Sequence, residues 1–320
     1  MTDYKADLNR RYWEYQQSYF PDWQRFFERP YAQDGRPPVF LPREAWRNVI
    51  INPQASQAEI DRLLALIPKP DRHRLFRSMN SSQALAQSVF GNLAIYGLLH
   101  CLAELQSDDG EALLGKAQVA SANFAMEFKV DHLREPRPTS FDVYIRDGYR
   151  VAFEFKFTEA EVGTCSRPRL TPRASNYERE YCDGNYSSKG AGKERCPLTE
   201  IGVLYWHYVP SLFNWQCDSD LFPCPLNKNY QLVRKILAIG VGADGRVSLE
   251  DGHVVLIYDE RNPAFQESGD GLDAFRETRA ALRAAQMLRK CSWQRIIQHM
   301  RRKGFYLPWL TEHLALKYGL

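Results

Sequence analysis

The stretch FDVYIRDGYRVAFEFKF, residues 141–157, brings Asp142, Glu154 and Lys156 together among Val, Ile, Phe and Tyr. Side chains alternate faces along a strand. Phe141, Val143, Ile145, Val151, Phe153, Phe155 and Phe157 then share one face, and Asp142, Tyr144, Ala152, Glu154 and Lys156 the other. Two carboxylates held close repel each other unless a cation lies between them. Hard oxygen donors on a rigid sheet suit Mg²⁺, or Mn²⁺, which also binds phosphate oxygens. A neighbouring ammonium orients an attacking water and stabilises charge on a phosphate. The combination is suited to phosphodiester hydrolysis. The competing reading is a solvated strand face with a cross-strand ion pair.

The positioning elements follow from the same parity. The two apolar faces coincide only if paired residue numbers sum to an even number, which excludes a two-residue Asp147-Gly148 loop. A three-residue loop, Arg146-Asp147-Gly148, pairs 145 with 149 and puts Gly148 where left-handed backbone is needed. Asp142 is then expected opposite Ala152 and diagonal to Glu154. NFAMEFKV alternates too, with Phe124, Met126, Phe128 and Val130 apolar and Glu127 on the polar side. Strands are expected near 123–130, 140–146, 149–157 and 252–258, the last a near-continuous apolar run. IGVLYWHYV, 201–209, reads as a further buried strand. Ser56 and Glu59 form a capping box before a helix. Helical patterns cover 81–106, NYQLVRKILAIG (229–240), 272–303 and the C-terminal end. Residues 158–200 read as an irregular insertion.

Pro138-Thr139-Ser140-Phe141-Asp142 followed by Glu154-Phe155-Lys156 resembles the motif of the PD-(D/E)xK nuclease superfamily. SSQALAQSVFG and EFKFTEAEVG are similar to runs in a bacterial family of restriction endonucleases within it. The resemblance covers roughly residues 81–160. It departs in that three residues separate Pro138 from Asp142. It implies an α/β restriction-endonuclease-like fold: a central mixed sheet flanked by helices, with additional N- and C-terminal helices. It further implies Asp142, Glu154 and the Phe155 backbone carbonyl as metal ligands, Lys156 acting on the water, and Gln83 or Glu127 as an accessory ligand. The expected function is Mg²⁺-dependent DNA hydrolysis, with RNA not excluded and a homodimer plausible for cutting two antiparallel strands. A catalytically silent nucleic-acid-binding or assembly module on the same fold is one alternative. A structural interaction protein with a cysteine-bound metal is another.

The totals are compatible with this. At 320 residues with 44% hydrophobic and 25% charged residues, the composition is ordinary globular. Residues 1–80 are read as a helical, aromatic extension, 81–260 as the nuclease core with its insertion, and 261–320 as a basic helical region, possibly all one domain. No apolar leader or membrane-length apolar run is present, which points to a cytoplasmic protein. Seven irregularly spaced cysteines argue against a disulfide framework. Cys165, Cys182, Cys196 and Cys217 are a candidate zinc or iron–sulfur site, though scattered reduced thiols are the favoured reading. The net charge of +3 permits a nucleic-acid partner. Candidate phosphate contacts are Arg167, Arg169, Arg173, Lys189 and Lys193 in the insertion, and the stripe Arg276, Arg279, Arg283.

Overall fold

Alternating apolar runs between residues 124 and 155 become three antiparallel strands, to which two parallel strands are added. The computed structural model describes residues 3–29, 35–169, 182–304 and 307–320. The strands are β1 (Phe124–Val130), β2 (Thr139–Asp147), β3 (Tyr149–Phe155), β4 (Gly252–Tyr258) and β5 (Leu288–Ser292), in the order β1-β2-β3-β4-β5. β1, β2 and β3 pair antiparallel; β3–β4 and β4–β5 are parallel. β4 is buried at every position, as a strand covered on both faces must be.

The helices are α1 (Tyr4–Tyr19), α2 (Gln57–Ala65), α3 (Ser82–Ala86), α4 (Asn92–Ile95), α5 (Pro197–Glu200), α6 (Tyr205–Leu212), α7 (Pro225–Lys228), α8 (Tyr230–Gly240), α9 (Asp270–Ala281), α10 (Trp293–Arg302) and α11 (Pro308–Tyr318). They cover both faces of the sheet. Val143, Ile145, Val151, Phe153, Phe155, Val255 and Ile257 join one core with α1, α3, α4, α10 and α11. Tyr144, Ala152, Val254 and Leu256 join the other with α6, α8 and α9. The fold is α/β, a five-stranded mixed sheet flanked by helices, as a restriction-endonuclease-like core requires.

Ser56 caps α2 with the reciprocal Glu59 bond, as the sequence signals. The helical pattern from residue 81 runs through α3, a π-helical turn at Gln87–Gly91 and α4; Gly97, at φ 71°, ends it, and 3₁₀ turns follow.

The structure corrects three expectations. IGVLYWHYV is not a strand. Residues 205–212 form α6, with Tyr205, Val209 and Leu212 buried at helical spacing; a short two-sided apolar run fits either state. The 272–303 pattern is not one helix either: it breaks after α9 into β5 and then α10. β5 is hidden in the sequence because its middle is Arg289-Lys290. Those cations reach out of the sheet: the Arg289 guanidinium donates to the Ala112 carbonyl and Lys290 Nζ lies 3.2 Å from Asp108.

The third correction is the hairpin register. Asp147 pairs with Tyr149 around Gly148 alone, at φ 67°, so Tyr144 rather than Asp142 lies opposite Ala152. The even-sum parity holds, and the slide is two residues. A two-residue slide leaves every side chain on its own face, so hydrophobic patterning cannot detect it.

Candidate catalytic face

The slide brings Asp142 in line with Glu154, one step beyond the Val143–Phe153 pair. The Phe155 N–H, past the end of the β2 ladder, donates to Asp142 Oδ2 at 2.7 Å. Lys156 Nζ stands 2.9 Å from Glu154 Oε1 and donates to Gln231 Oε1. A second ammonium comes from α8. Lys235 Nζ lies 2.5 Å from Glu154 Oε2 and 3.8 Å from Asp142 Oδ1, and donates to the Ser140 carbonyl. Two carboxylates and two ammoniums therefore alternate on the α8 side of the sheet.

Glu127 and Gln83 flank this group. Gln83 Nε2 donates to one Glu127 oxygen, and Ser140 Oγ donates to the other at 2.8 Å. Glu127 sits at φ 50°, left-handed backbone that typically costs about 1–3 kcal/mol outside glycine. The chain crosses over there: Phe124 and Met126 join one core, Phe128 and Val130 pack on the other, and Phe141 follows Phe128. The simple alternation expected for NFAMEFKV and for Phe141 thus fails beside the site. The entry to β2 is braced by Glu135, which accepts from the Thr139 N–H at 2.9 Å and pairs with Arg234 of α8 at 2.8 Å.

The electrostatics split the two carboxyls. Burial first, then the Glu154 charge, push Asp142 up to about 8 against the pull of Lys235. Burial also opposes ionisation of Glu154, but Lys156 and Lys235 outweigh it and hold that carboxyl at about 2. Lys156 is raised: burial disfavours its charge, and Glu154, Glu159 and Asp142 more than compensate. Burial raises Glu127 despite its bonds from Gln83 and Ser140.

The donor set fits a hard divalent ion. Glu154 Oε2 is buried and, despite the nearby Lys235 charge, accepts no aligned hydrogen bond among the described residues. Asp142 keeps 26% of its side chain open to solvent, a way in for an ion. Among the described residues no group of three or more His, Cys, Asp or Glu is arranged to hold one, so further ligands would come from a carbonyl, such as that of Phe155, and water.

Residues 17–319 match the family model described as Restriction Endonuclease associating with ARP. The chain belongs to that family. No curated protein and no solved structure matches it.

The face joins Asp142, Glu154 and Lys156 as the sequence suggests, with Glu127 and Gln83 beside them. Lys235 and Gln231 were missed. Their trace in the sequence is a lysine on the apolar side of NYQLVRKILAIG, three residues after Leu232 and four before Ile239; a buried lysine needs a partner.

The basic candidates fare differently. Arg167 is buried, 2% exposed, so it cannot track a phosphate backbone. Arg169 is exposed, 3.8 Å from Glu161. Lys189 is half-buried and Lys193 exposed, while Arg173 lies outside the described residues. Arg276, Arg279 and Arg283 are not one helical stripe. α9 ends at Ala281, and Arg283 Nε donates to the Pro210 carbonyl at 2.8 Å. Cys165, Cys182 and Cys196 are buried, and Cys217 is half-buried. No helix among the described residues is long and apolar enough to cross a membrane.

Proposed function

We propose that this chain is a Mg²⁺- or Mn²⁺-dependent nuclease that hydrolyses DNA phosphodiester bonds. The observation that carries the reading is the convergence of Asp142, Glu154 and Lys156 on one face, with Glu154 Oε2 buried and lacking an aligned donor. Asp142 and Glu154 would hold the ion with the Phe155 carbonyl, and the ion would supply positive charge at the phosphate. Lys156 orients the attacking water, held in place by Glu154 and Gln231. Lys235 keeps Glu154 ionised. Glu127 and Gln83 brace the β1 side of the site.

Membership in a restriction-endonuclease family supports DNA as substrate and a role in defence within a bacterial cytoplasm. The family's description speaks of association with ARP, so a protein partner belongs to the reading, as does a homodimer for cutting both strands. One observation favours a silent module instead: Lys235 Nζ already neutralises both carboxylates from within their gap.

Incubation with plasmid, linear and single-stranded DNA, with and without Mg²⁺ or Mn²⁺, decides. Metal-dependent cleavage is expected. Asp142→Ala and Lys156→Ala should each lower it by about 10²-fold or more, the scale of losing one transition-state contact. Absence of cleavage on every substrate, with no calorimetric binding of either ion, would establish the silent module.

A further inference from the structure

Four cysteines far apart in sequence meet at the base of α8. Cys165, Cys182, Cys196 and Cys224 are all buried, each between 7% and 8% exposed. Backbone bonds knit their neighbourhoods together. The Cys224 N–H donates to the Gly184 carbonyl at 2.9 Å, and the Cys165 N–H to the Asn227 carbonyl at 2.8 Å. Cys224 feels the charges of Cys196, Cys182 and Cys165, and Cys165 those of Cys196 and Cys182.

Each sulfur also receives a backbone N–H from two residues on. Gly184 N–H donates to Cys182 Sγ at 3.3 Å. Arg167 does the same for Cys165, Leu198 for Cys196 and Leu226 for Cys224. Cys196 accepts from the Thr199 N–H as well. Donors aimed at sulfur favour the thiolate, the form that binds metal. One such turn is unremarkable, but four of them facing a shared buried region make a reason to deprotonate together. Without a cation the reverse holds: burial, reinforced by neighbouring thiols, pushes Cys165 up to about 11 and Cys224 up to about 12.

We propose that Cys165, Cys182, Cys196 and Cys224 bind one structural Zn²⁺ as a four-thiolate site. Zinc takes four sulfurs tetrahedrally at about 2.3 Å. Among the described residues no three of the side chains are yet arranged to hold an ion. Rotation about thiol side-chain bonds, with the four backbone turns unchanged, closes them on one centre. Binding replaces S–H bonds by S–Zn bonds and releases the thiol protons to solvent.

The set differs from the grouping suggested by sequence order. Cys224 takes the place of Cys217, whose carbonyl instead accepts from Tyr186 Oη at 2.9 Å. The node has a structural consequence. Cys224 is the N-cap of α7, which leads directly into α8, and the Gly163 backbone packs against the Gln231 side chain. Zinc here would fasten the insertion to the helix that carries Gln231, Arg234 and Lys235.

The test is elemental analysis of the full chain purified without added metal. One zinc per chain is expected, retained by Cys217→Ser and lost by the pair Cys182→Ser and Cys196→Ser. Should that variant not fold, wild-type protein exchanged with Co²⁺ provides a second measurement: the absorption of tetrahedral cobalt thiolate is expected. Zinc-free protein with no cobalt–thiolate absorption would overturn the proposal. Stoichiometric iron with visible cluster absorption would overturn the assignment to zinc, and zinc loss in Cys217→Ser would overturn the ligand set. None of these readings depends on nuclease activity.

Discussion

Asp142 and Glu154 are chemically alike, yet the fold separates them by environment. Glu154 has an ammonium on each side, whereas Asp142 has Lys235 only at 3.8 Å. The sign of each effect on stability follows. Asp142, raised from 3.8 to about 8, binds its proton more tightly folded than unfolded, so its contribution declines as pH rises through that window. Glu154, lowered from 4.5 to about 2, contributes stability above pH 4.5 that is lost as pH falls towards 2. Asp142→Asn should therefore raise the Tm of metal-free protein at and above pH 8, with little change near pH 5, while weakening Mg²⁺ binding. Scanning calorimetry across pH, with and without Mg²⁺, checks this. A lower Tm for the variant at pH 8 would mean that the Asp142 charge is well compensated without metal. In the wild type, Mg²⁺ binding below pH 8 should release about one proton, seen as a buffer-dependent calorimetric heat.

At the scale of elements, the hairpin sets the site's register, and Gly148 sets the hairpin. A Cβ at Gly148 meets nothing within 4 Å, so only its φ of 67° resists substitution. Gly148→Ala should destabilise the protein by about 1–2 kcal/mol, the cost of left-handed backbone with a side chain, and Gly148→Asn by less. Urea titration measures both; equal loss for the two would point to a steric origin instead. The hairpin also shows how far sequence carried. Alternation placed Asp142, Glu154 and Lys156 on one face and Phe153 and Phe155 in the core, because face membership depends on parity. It could not fix the register, because a slide of two preserves parity. Nor could it reveal α6 or β5. α6 is apolar on too many sides to display a stripe, and β5 carries cations whose partners, Asp108 and the Ala112 carbonyl, lie far away in sequence. Lys235 escaped for the same reason: its carboxylate partners are on the sheet, outside its own helix.

Across the whole molecule, the ends of the chain are part of the same core as the site. Tyr4 Oη donates to the Phe157 carbonyl at 2.9 Å, and Leu8 and Tyr12 of α1 share a cluster with Phe153 and with Leu314 of α11. The C-terminal basic run is likewise less available than its sequence suggests. Arg276 makes two bonds to Glu267, Arg279 lies 3.5 Å from Asp109, Arg295 lies 2.8 Å from Asp108, and Lys303 pairs with Glu104. A cation already matched to a carboxylate has little charge left for a phosphate, so binding nucleic acid there would first break ion pairs. Exposed pairs are each weak, about 0–1 kcal/mol, so the argument rests on their number and matched placement. Replacing Arg276, Arg279 and Arg283 together by Gln should leave the salt dependence of DNA binding unchanged. Each arginine that does contact a duplex phosphate would lower the slope of log affinity against log salt by about 0.9. DNA titrations at several salt concentrations, on wild type and triple variant, read this directly. A slope reduced by two or more units would assign this surface to DNA. An unchanged slope leaves exposed Arg169 and Lys193, on the insertion beside α8, as the cations for the phosphate track.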